Sequence, residues 1–477
     1  MTEHQPDPPA SGDGVAVVEA PEVDREAVEG QSPTRDPLEP GVAFAAGNGV
    51  VARVERSHVW RSMFRHPRIE TPRGRALQGF SNFFLHVYPV KVPARVLRLR
   101  YSFRLGFISS VLFAILALTG VYLMFFYTPA VGSAYGDMQS IRTAVGFGQL
   151  VRNVHRWSAH LMVLMVFLHM VRVFYAGAYK KPREFNWVIG VVLLLITLGL
   201  SFTGYLLPWD QLSYWAVTVG TNLVHYVPFF GKSLSDLLIG GNQIGQPTLL
   251  RFYALHVAVL PITFMLVLGI HIWRVRKDGF AVERSAVGAT GAFEEEATAP
   301  ANPAVPSTAP ADLYGGRTRV LGVVDRESVT AEERATDDTV FSWPHLIVRH
   351  VVVALGVATV VLSLGVLFAA PLRGLANPNL TPEPAKAPWY FAGLQELLSH
   401  FDPLVAGILI PIGAVLTLLL LPYIDRNPST VARHRKVAIT VFSGLLGIAV
   451  VLTVIGTFFR GPGWQFIAPW THWWVEL

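Results

Sequence analysis

The chain has 477 residues, of which 52% are hydrophobic and only 15% charged, with a mean hydropathy of +0.41. Soluble proteins carry about 25% charged residues, so this balance excludes a water-soluble enzyme and implies an integral membrane protein bounded by lipid. A net charge of +6 and a pI near 9.5 would suit nucleic acid in a soluble chain. Here the basic residues flank hydrophobic segments, where they set orientation and meet anionic headgroups, so no nucleic-acid partner is expected. The absence of cysteine excludes disulfides, thiolate metal sites, cysteine nucleophiles and thioether-linked prosthetic groups.

Residues 1–90 hold no long apolar run, and their Pro-, Gly-, Asp- and Glu-rich beginning predicts a disordered cytoplasmic extension. No signal peptide is visible in it. The chain then turns basic, with Arg53, Arg56, Arg61 and Arg65 followed by Lys91, Arg95, Arg98, Arg100 and Arg104. Seven apolar segments follow, at about 105–127, 154–175, 187–207, 252–273, 350–370, 404–424 and 437–459. Each approaches the roughly 20 residues that cross the hydrocarbon core. Basic groups follow the second span (Arg172, Lys180, Lys181, Arg183), the fourth (Arg274, Arg276, Lys277) and the sixth (Arg426, Arg433, Arg435, Lys436). They alternate consistently with the basic N-terminal region, which puts all of them and the N-terminus on the cytoplasmic side and the C-terminus outside. The chain thus divides into a four-span domain over 91–280, a polar cytoplasmic linker over 281–340, a three-span domain over 341–460 and a Trp-rich outer tail over 461–477. The loops at about 208–251 and 371–403 face outward and are too apolar to be plain tethers.

The second span carries His155 and His169, fourteen residues apart, and the fourth carries His256 and His271, fifteen apart. At about 1.5 Å rise per residue each pair spans roughly 21–22 Å. At about 100° per residue, fourteen steps return to within roughly 40° of one face. The two spans run the same way through the membrane, so His155 pairs in depth with His256, and His169 with His271. Ionisable residues inside a span are costly and default to function. Imidazole suits iron, and bis-imidazole sites with no open position favour electron transfer. The expected fold is therefore an all-α membrane protein of seven transmembrane helices, a di-haem four-helix bundle followed by a three-helix block. The four histidines would ligate two non-covalent b-type haems. Gly106 and Gly120 in the first span, and Gly190 and Gly204 in the third, repeat the fourteen-residue spacing. Glycine allows a haem plane close approach to a helix backbone; ordinary helix packing is the alternative reading. His160, nine residues from His169 and so roughly 180° round the helix, reads as structural or surface-facing.

The runs RNVHRW (152–157), LHMVRVF (168–174), FTGYLLPWDQLSYWAV (202–217), TLLRFYALH (248–256) and GIHIWRVRKDG (269–279) closely resemble cytochrome b, the quinol-oxidising membrane subunit of cytochrome bc complexes. KKPREFNWV (180–188) and the fifteen-residue histidine separation resemble its chloroplast-type branch, and residues 341–459 resemble that branch's separate subunit IV. The resemblance covers roughly 95–460. It implies that His155 and His256 hold the haem near the outer surface, and His169 and His271 the haem near the cytoplasm. Arg152 and Arg156 match basic residues that would offset the outer haem's propionates. It also implies quinol oxidation at an outer site between the end of the third span, the loop helices and the WYF segment. There electrons bifurcate, one going to a Rieske iron–sulfur protein and one through the two haems to an inner quinone site, generating a proton gradient. A cytochrome c-type subunit or soluble acceptor, a homodimeric assembly and a bacterial-type inner membrane belong to the same implication.

Three places depart from the family. Where its outer site has Pro-Glu-Trp-Tyr, this chain has Ala387, Pro388, Trp389 and Tyr390, and Pro388 cannot accept the quinol proton. Trp389 and Tyr390 remain as site residues, and Glu383, Glu396 and Asp210 are the nearby acceptor candidates. Glu396, one and a half turns past Tyr390, is expected to take part of the role unless it is a solvated carboxylate. The altered motif resembles variants in menaquinol-using bacteria, which points to menaquinone. Second, the branch attaches a third haem through a cysteine where Arg104 stands, so a covalent third haem is excluded. Arg104 would instead face the inner quinone site with Arg276 and Asp278, and Lys91 beside them, or serve as a positive-inside anchor. Third, the tail with Trp464, Trp470, Trp473 and Trp474 resembles no part of the core family and reads as an interfacial belt or a docking surface.

Two other classes compete. A di-haem quinone-linked membrane anchor of a dehydrogenase or hydrogenase would share the haems but has no use for the outer PWDQ (208–211) and WYF segments. A seven-span transporter would show broken helices and inverted repeats, and the sequence shows neither.

Overall fold

The computed structural model describes residues 57–58, 91–241, 243–280, 339–382, 386–459 and 466. The predicted extension before Lys91 (apart from Ser57 and His58), the linker through 338, Glu383 and the four tail tryptophans lie outside the described residues. Among the described residues, seven helices are long and apolar enough to cross a membrane: Leu105–Met124, Gly148–Tyr175, Glu184–Leu206, Gln246–Asp278, His345–Leu367, Leu404–Ile424 and Lys436–Phe458. Each predicted span is present. Helix is what such runs must form, because lipid offers no partner for an unpaired backbone amide or carbonyl.

In chain order the elements are β1 (Lys91–Pro93), α1 (Leu105–Met124), α2 (Ala134–Thr143), α3 (Gly148–Tyr175), α4 (Glu184–Leu206), α5 (Gln211–Val224), α6 (Gly231–Ile239), α7 (Gln246–Ala254) and α8 (Leu260–Asp278). After the linker come β2 (Thr339–Phe341), α9 (Ser342–Leu367), α10 (Trp389–Leu398), α11 (Ile410–Ile424) and α12 (Lys436–Phe458). The strands form one small antiparallel ribbon, Val92 opposite Val340, that ties the start of the first block to the start of the second.

A π turn, Leu255–Val259, joins α7 to α8, and another, Leu404–Leu409, leads into α11. Each ends two residues before a proline, Pro261 and Pro411. Proline has no N–H to donate and its ring crowds the carbonyl four residues back; widening the preceding turn accommodates both. A π turn also inserts one residue into the helical register.

α1 packs along α3, and α8 along α4, forming the four-helix bundle; α9 lies against α3, α11 against α4, and α10 against α12. The ends of α3 and α4 that meet α2, α5 and α7, with α6 packed on α5 and α7, define a loop-rich face, where Tyr127, Leu206, Trp209, Tyr214, Leu249 and Phe252 form a core. The opposite face is basic.

The second block is fastened to the first at both faces. On the loop-rich side Arg152 donates to the carbonyls of Ala370 and Pro371, each at 2.7 Å. Asn153 donates to Gly365 O and accepts from Ala370 N, both at 2.8 Å, and the Trp157 indole donates to Phe368 O at 2.8 Å. On the basic side Lys180 pairs with Asp425 at 2.8 Å. Tyr179 donates to the same carboxylate. The buried Arg435 bonds to Phe174 O and the Tyr179 hydroxyl. Burial alone would raise the Asp425 carboxyl, but Lys180 and Tyr179 hold it below the usual carboxylate range.

Removing that carboxylate leaves Lys180 and Arg435 as nearly buried, uncompensated cations, which costs about 3–5 kcal/mol. D425N is therefore expected to lower the midpoint of thermal unfolding of the detergent-solubilised protein by several degrees. A folded pKa below the unfolded one means that stabilisation is full above the ordinary carboxylate pKa of about 3.9 and lost as pH falls through the lower folded value. The wild type should lose this contribution on acidification and D425N should not.

Candidate functional site: two histidine pairs and an aromatic cluster

His155 and His169 on α3 face His256 in the π turn and His271 on α8. The ring centres of His155 and His256 lie 6.3 Å apart, and those of His169 and His271 6.4 Å apart, with ring planes crossed at 73° and 86°. The depth pairing read from the spacing is the pairing found. The unequal spacings give equal geometry because the π turn at 255–259 absorbs the extra residue between His256 and His271.

The pairs suit an axial iron. An imidazole–metal bond of about 2.0–2.1 Å on each side, with roughly 1.1 Å from ring nitrogen to ring centre, puts facing ring centres about 6.2 Å apart. No cluster of three or more His, Cys, Asp or Glu that could hold a metal occurs among the described residues. The two facing imidazoles of each pair would hold a haem iron, whose remaining donors the macrocycle supplies. All four histidines are half-buried within the bundle.

Partners at Nδ1 fix the tautomer on the loop-rich side. His256 Nδ1 lies 3.0 Å from Leu200 O, which can only accept, so Nδ1 carries the hydrogen and Nε2 the lone pair. Thr119 gives its own hydrogen to Ile115 O at 2.7 Å and accepts from His155 Nδ1 at 2.8 Å. Thr203 stands 3.4 Å from His256 Nδ1 in the equivalent place. Sequence reasoning missed both threonines, yet each directly precedes a spaced glycine: Thr119–Gly120 and Thr203–Gly204.

The four glycines meet imidazoles. A Cβ on Gly106 would lie 3.0 Å from His169 Cε1, on Gly120 3.4 Å from His155 Cε1, and on Gly190 3.5 Å from His271 Cε1. On Gly204 it would overlap the His256 ring, with Nδ1 at 2.8 Å and Nε2 at 2.9 Å.

The other expected residues distribute differently. Arg152 is committed to the 370–371 carbonyls, so it docks the second block rather than reaching towards a propionate. Arg156, one turn further along α3, lies within electrostatic range of His160, Tyr205 and Tyr390. His160 is packed within the protein. The Trp389 indole donates to its Nδ1 at 3.1 Å, and its ring centre lies 5.9 Å from that of Tyr390 and 5.8 Å from that of Trp157. The signal was present as a polar stripe at four-residue spacing, Arg152, Arg156 and His160, which winds from about 60° to about 140° round α3 from His155 and so reaches its far side at His160.

Trp389 and Tyr390 begin α10 after the N-cap Pro388, and Phe391 meets Phe202 of α4 edge-on at 6.4 Å. Burial raises the Tyr390 phenol, while Arg156 and a bond with Ser201 act the other way. Asp210 caps α5, accepting from Ser213 N at 2.8 Å, and its other oxygen accepts from Arg373 N at 3.1 Å. Its carboxylate is thus held by backbone amides, as a fastening. Glu396 is buried beside Ala392 and accepts from His400 Nε2 at 2.8 Å. Six residues turn α10 by about 240°, which carries Glu396 away from the Tyr390 face; Ala392 and Gly393 on its side meet α12.

On the basic side, Arg104 enters α1 in a left-handed conformation (φ 54°) and donates to Leu97 O at 3.1 Å. Burial, and the neighbouring Arg349, lower its pKa. His350 stacks on Phe107 at 4.0 Å nearby. Asp278, expected beside Arg276, forms a buried pair with Arg274 at 3.1 Å; Arg276 lies on the last turn of α8. Lys91 lies in β1.

Residues 91–279 match the family described as cytochrome b/b6/petB, and residues 375–474 match cytochrome b(C-terminal)/b6/petD. The second match takes in the Trp-rich tail, which the sequence reading had left outside the family. Cytochrome b6 of Heliobacterium modesticaldum is 45% identical over 190 residues, 40% of this chain and 88% of that protein. Cytochrome b6 of Acaryochloris marina is 46% identical over 177 residues, 37% of this chain and 82% of that protein. A solved chain of a hyperthermophilic respiratory Complex III is similar at 25% identity and a TM-score of 0.60, covering 78% of this chain and 85% of its own. The chain belongs to the cytochrome b family, with b6-like and petD-like parts joined in one multi-pass membrane polypeptide.

The glycine distances make a graded prediction. G204A forces the His256 ring to move and is expected to lower haem content or shift one haem's midpoint potential, whereas G190A, at ordinary van der Waals distance, leaves the haem spectrum and potentials unchanged. Redox titration of the b-band checks both.

Proposed function

We propose that this protein is the membrane cytochrome b subunit of a respiratory quinol–cytochrome c (or plastocyanin-like) oxidoreductase, with a quinol site on its loop-rich face and a quinone site on its basic face. The observation that carries this reading is the pair of facing imidazoles at each of two depths, next to a half-buried cluster of aromatic rings on the loop-rich side. His155 with His256, and His169 with His271, hold the two b haems, which when bound supply a one-electron path between the two faces. Thr119 and Leu200 O keep the loop-rich pair in the ligating tautomer, and the four glycines let α1 and α4 close over the rings.

Trp389, Tyr390 and Phe391, with Phe202 and Tyr205 of α4, form an aromatic cluster that would line the pocket for the quinol head. Arg156 supplies positive charge beside it, suited to an anion there. Arg104, with Arg349 and His350 nearby, supplies the same on the basic face, where the second quinone would bind; Arg276 is assigned to that face by position alone. With the basic face cytoplasmic, electrons travel inward against a field of about 2.3 kcal/mol per charge per 100 mV, so turnover charges the membrane. The reading implies a Rieske protein as the first one-electron acceptor, a c-type cytochrome beyond it, a homodimeric assembly in a bacterial-type inner membrane, and, from the altered motif at Pro388, menaquinol as substrate.

The purified complex should show a reduced-minus-oxidised band near roughly 560 nm. H155A should remove the haem nearer the loop-rich face and H169A the other, each leaving about half of the band. Added dimethylnaphthoquinol should reduce cytochrome c through the intact complex. Absence of the band, or no quinol-dependent reduction by a preparation that holds both haems, sinks the proposal.

A further inference from the structure

The pocket needs a group that takes the quinol proton, and Pro388 cannot be that group. Glu396 lies about 240° round α10 from Tyr390, on the side whose Ala392 and Gly393 meet α12, and Asp210 is held by the amides of Ser213 and Arg373. One ionisable imidazole does reach the aromatic segment: His160, hydrogen-bonded to the residue that follows Pro388 and close to the Tyr390 ring.

We propose that His160 is the first proton acceptor for quinol on the loop-rich face, receiving the proton at Nδ1 in place of the Trp389 indole N–H. Because the indole nitrogen can only donate, the bond at 3.1 Å holds the neutral ring with its lone pair on Nδ1 and its hydrogen on Nε2. Trp389 therefore keeps the acceptor atom directed at the quinol segment until a hydroxyl displaces it. On transfer the quinol O–H bond breaks, an N–H bond forms at Nδ1, and the products are a quinolate and an imidazolium. No electron moves in this step; oxidation follows by the route proposed above, on which this inference rests.

The groups around His160 fit that role. Arg156 on its own helix would attract the quinolate, and Tyr390 on α10 and Tyr205 on α4 are the other titratable groups in range. α9 carries His345, Arg349 and His350 only at its opposite end, and α1 carries Tyr122 near its loop-rich end. The imidazole is thus the base beside the pocket. Its place in the stripe Arg152–Arg156–His160 puts it on the docking face of α3, directed at the second block and away from the haems.

Asparagine can accept the Trp389 hydrogen bond but cannot take up a proton, so H160N separates docking from chemistry. In the purified complex, with dimethylnaphthoquinol and ferricytochrome c, H160N is expected to lower kcat by roughly 100-fold or more, with both b haems in place and KM little changed. Its residual rate should climb with pH, as quinol ionises in solution, more steeply than that of the wild type. E396Q should stay within about three-fold of wild type, as a residue outside the pocket would. Wild-type kcat and pH profile in H160N overturn the inference, as does a roughly 100-fold loss confined to E396Q. A haem-replete wild type that oxidises no quinol overturns the parent reading instead, so the two failures are distinguishable.

Discussion

Everything in this protein depends on four imidazoles that must sit inside lipid-embedded helices without an unmet polar cost. Ionisable groups in a span are tolerated only when something in the interior uses them. Here each ring is backed by a glycine of the neighbouring helix, and on the loop-rich side a threonine or a carbonyl takes the Nδ1 hydrogen. The glycines set how closely α1 approaches α3 and α4 approaches α8. That spacing in turn sets the separation of the ring centres, and with it the kind of group the bundle can hold. Helix packing and cofactor choice are one constraint.

α3 serves two partners from opposite faces. His155 and His169 look into the bundle, while Arg152, Asn153, Trp157 and His160 look out at the second block and bond to it through backbone carbonyls of 365–371 and the Trp389 indole. These bonds are specific because a carbonyl at the frayed end of α9 has no intrahelical partner and needs a donor. With the Lys180–Asp425–Arg435 cluster at the other face, they hold the petD-like part against the b6-like part whatever the linker does.

Much of this was legible in the sequence, for a physical reason: lipid forces apolar runs to be helices, so span number and order follow from the length and position of those runs. The histidine pairing followed from helical rise and from the second and fourth spans running the same way. What escaped the sequence reading depended on tertiary partners. Arg152 was assigned to an anion, since nothing local revealed the carbonyls of Ala370 and Pro371 more than two hundred residues away. His160 was dismissed because its angle was measured from the haem face, without asking what lay opposite. Glu396 looked close to Tyr390 along the chain, but six residues of helix turn it away. The fifteen-residue spacing was noticed as a family trait, while its physical meaning lay in Pro261 and the π turn that precedes it.

The two faces of α3 also separate the two currencies of the proposed reaction. Electrons would follow the His155–His256 and His169–His271 pairs through the bundle, and the proton would stay on the side of α3 that meets α10. A single helix between them keeps the base near the quinol and away from the haem ligands, so proton transfer at His160 need not disturb a coordinated imidazole. That arrangement also explains how the segment at 387–391 can lose a carboxylate. The base need not lie on the loop that binds the quinol, provided that a rigid helix brings one to the same aromatic wall, and Trp389 supplies the contact that keeps it there.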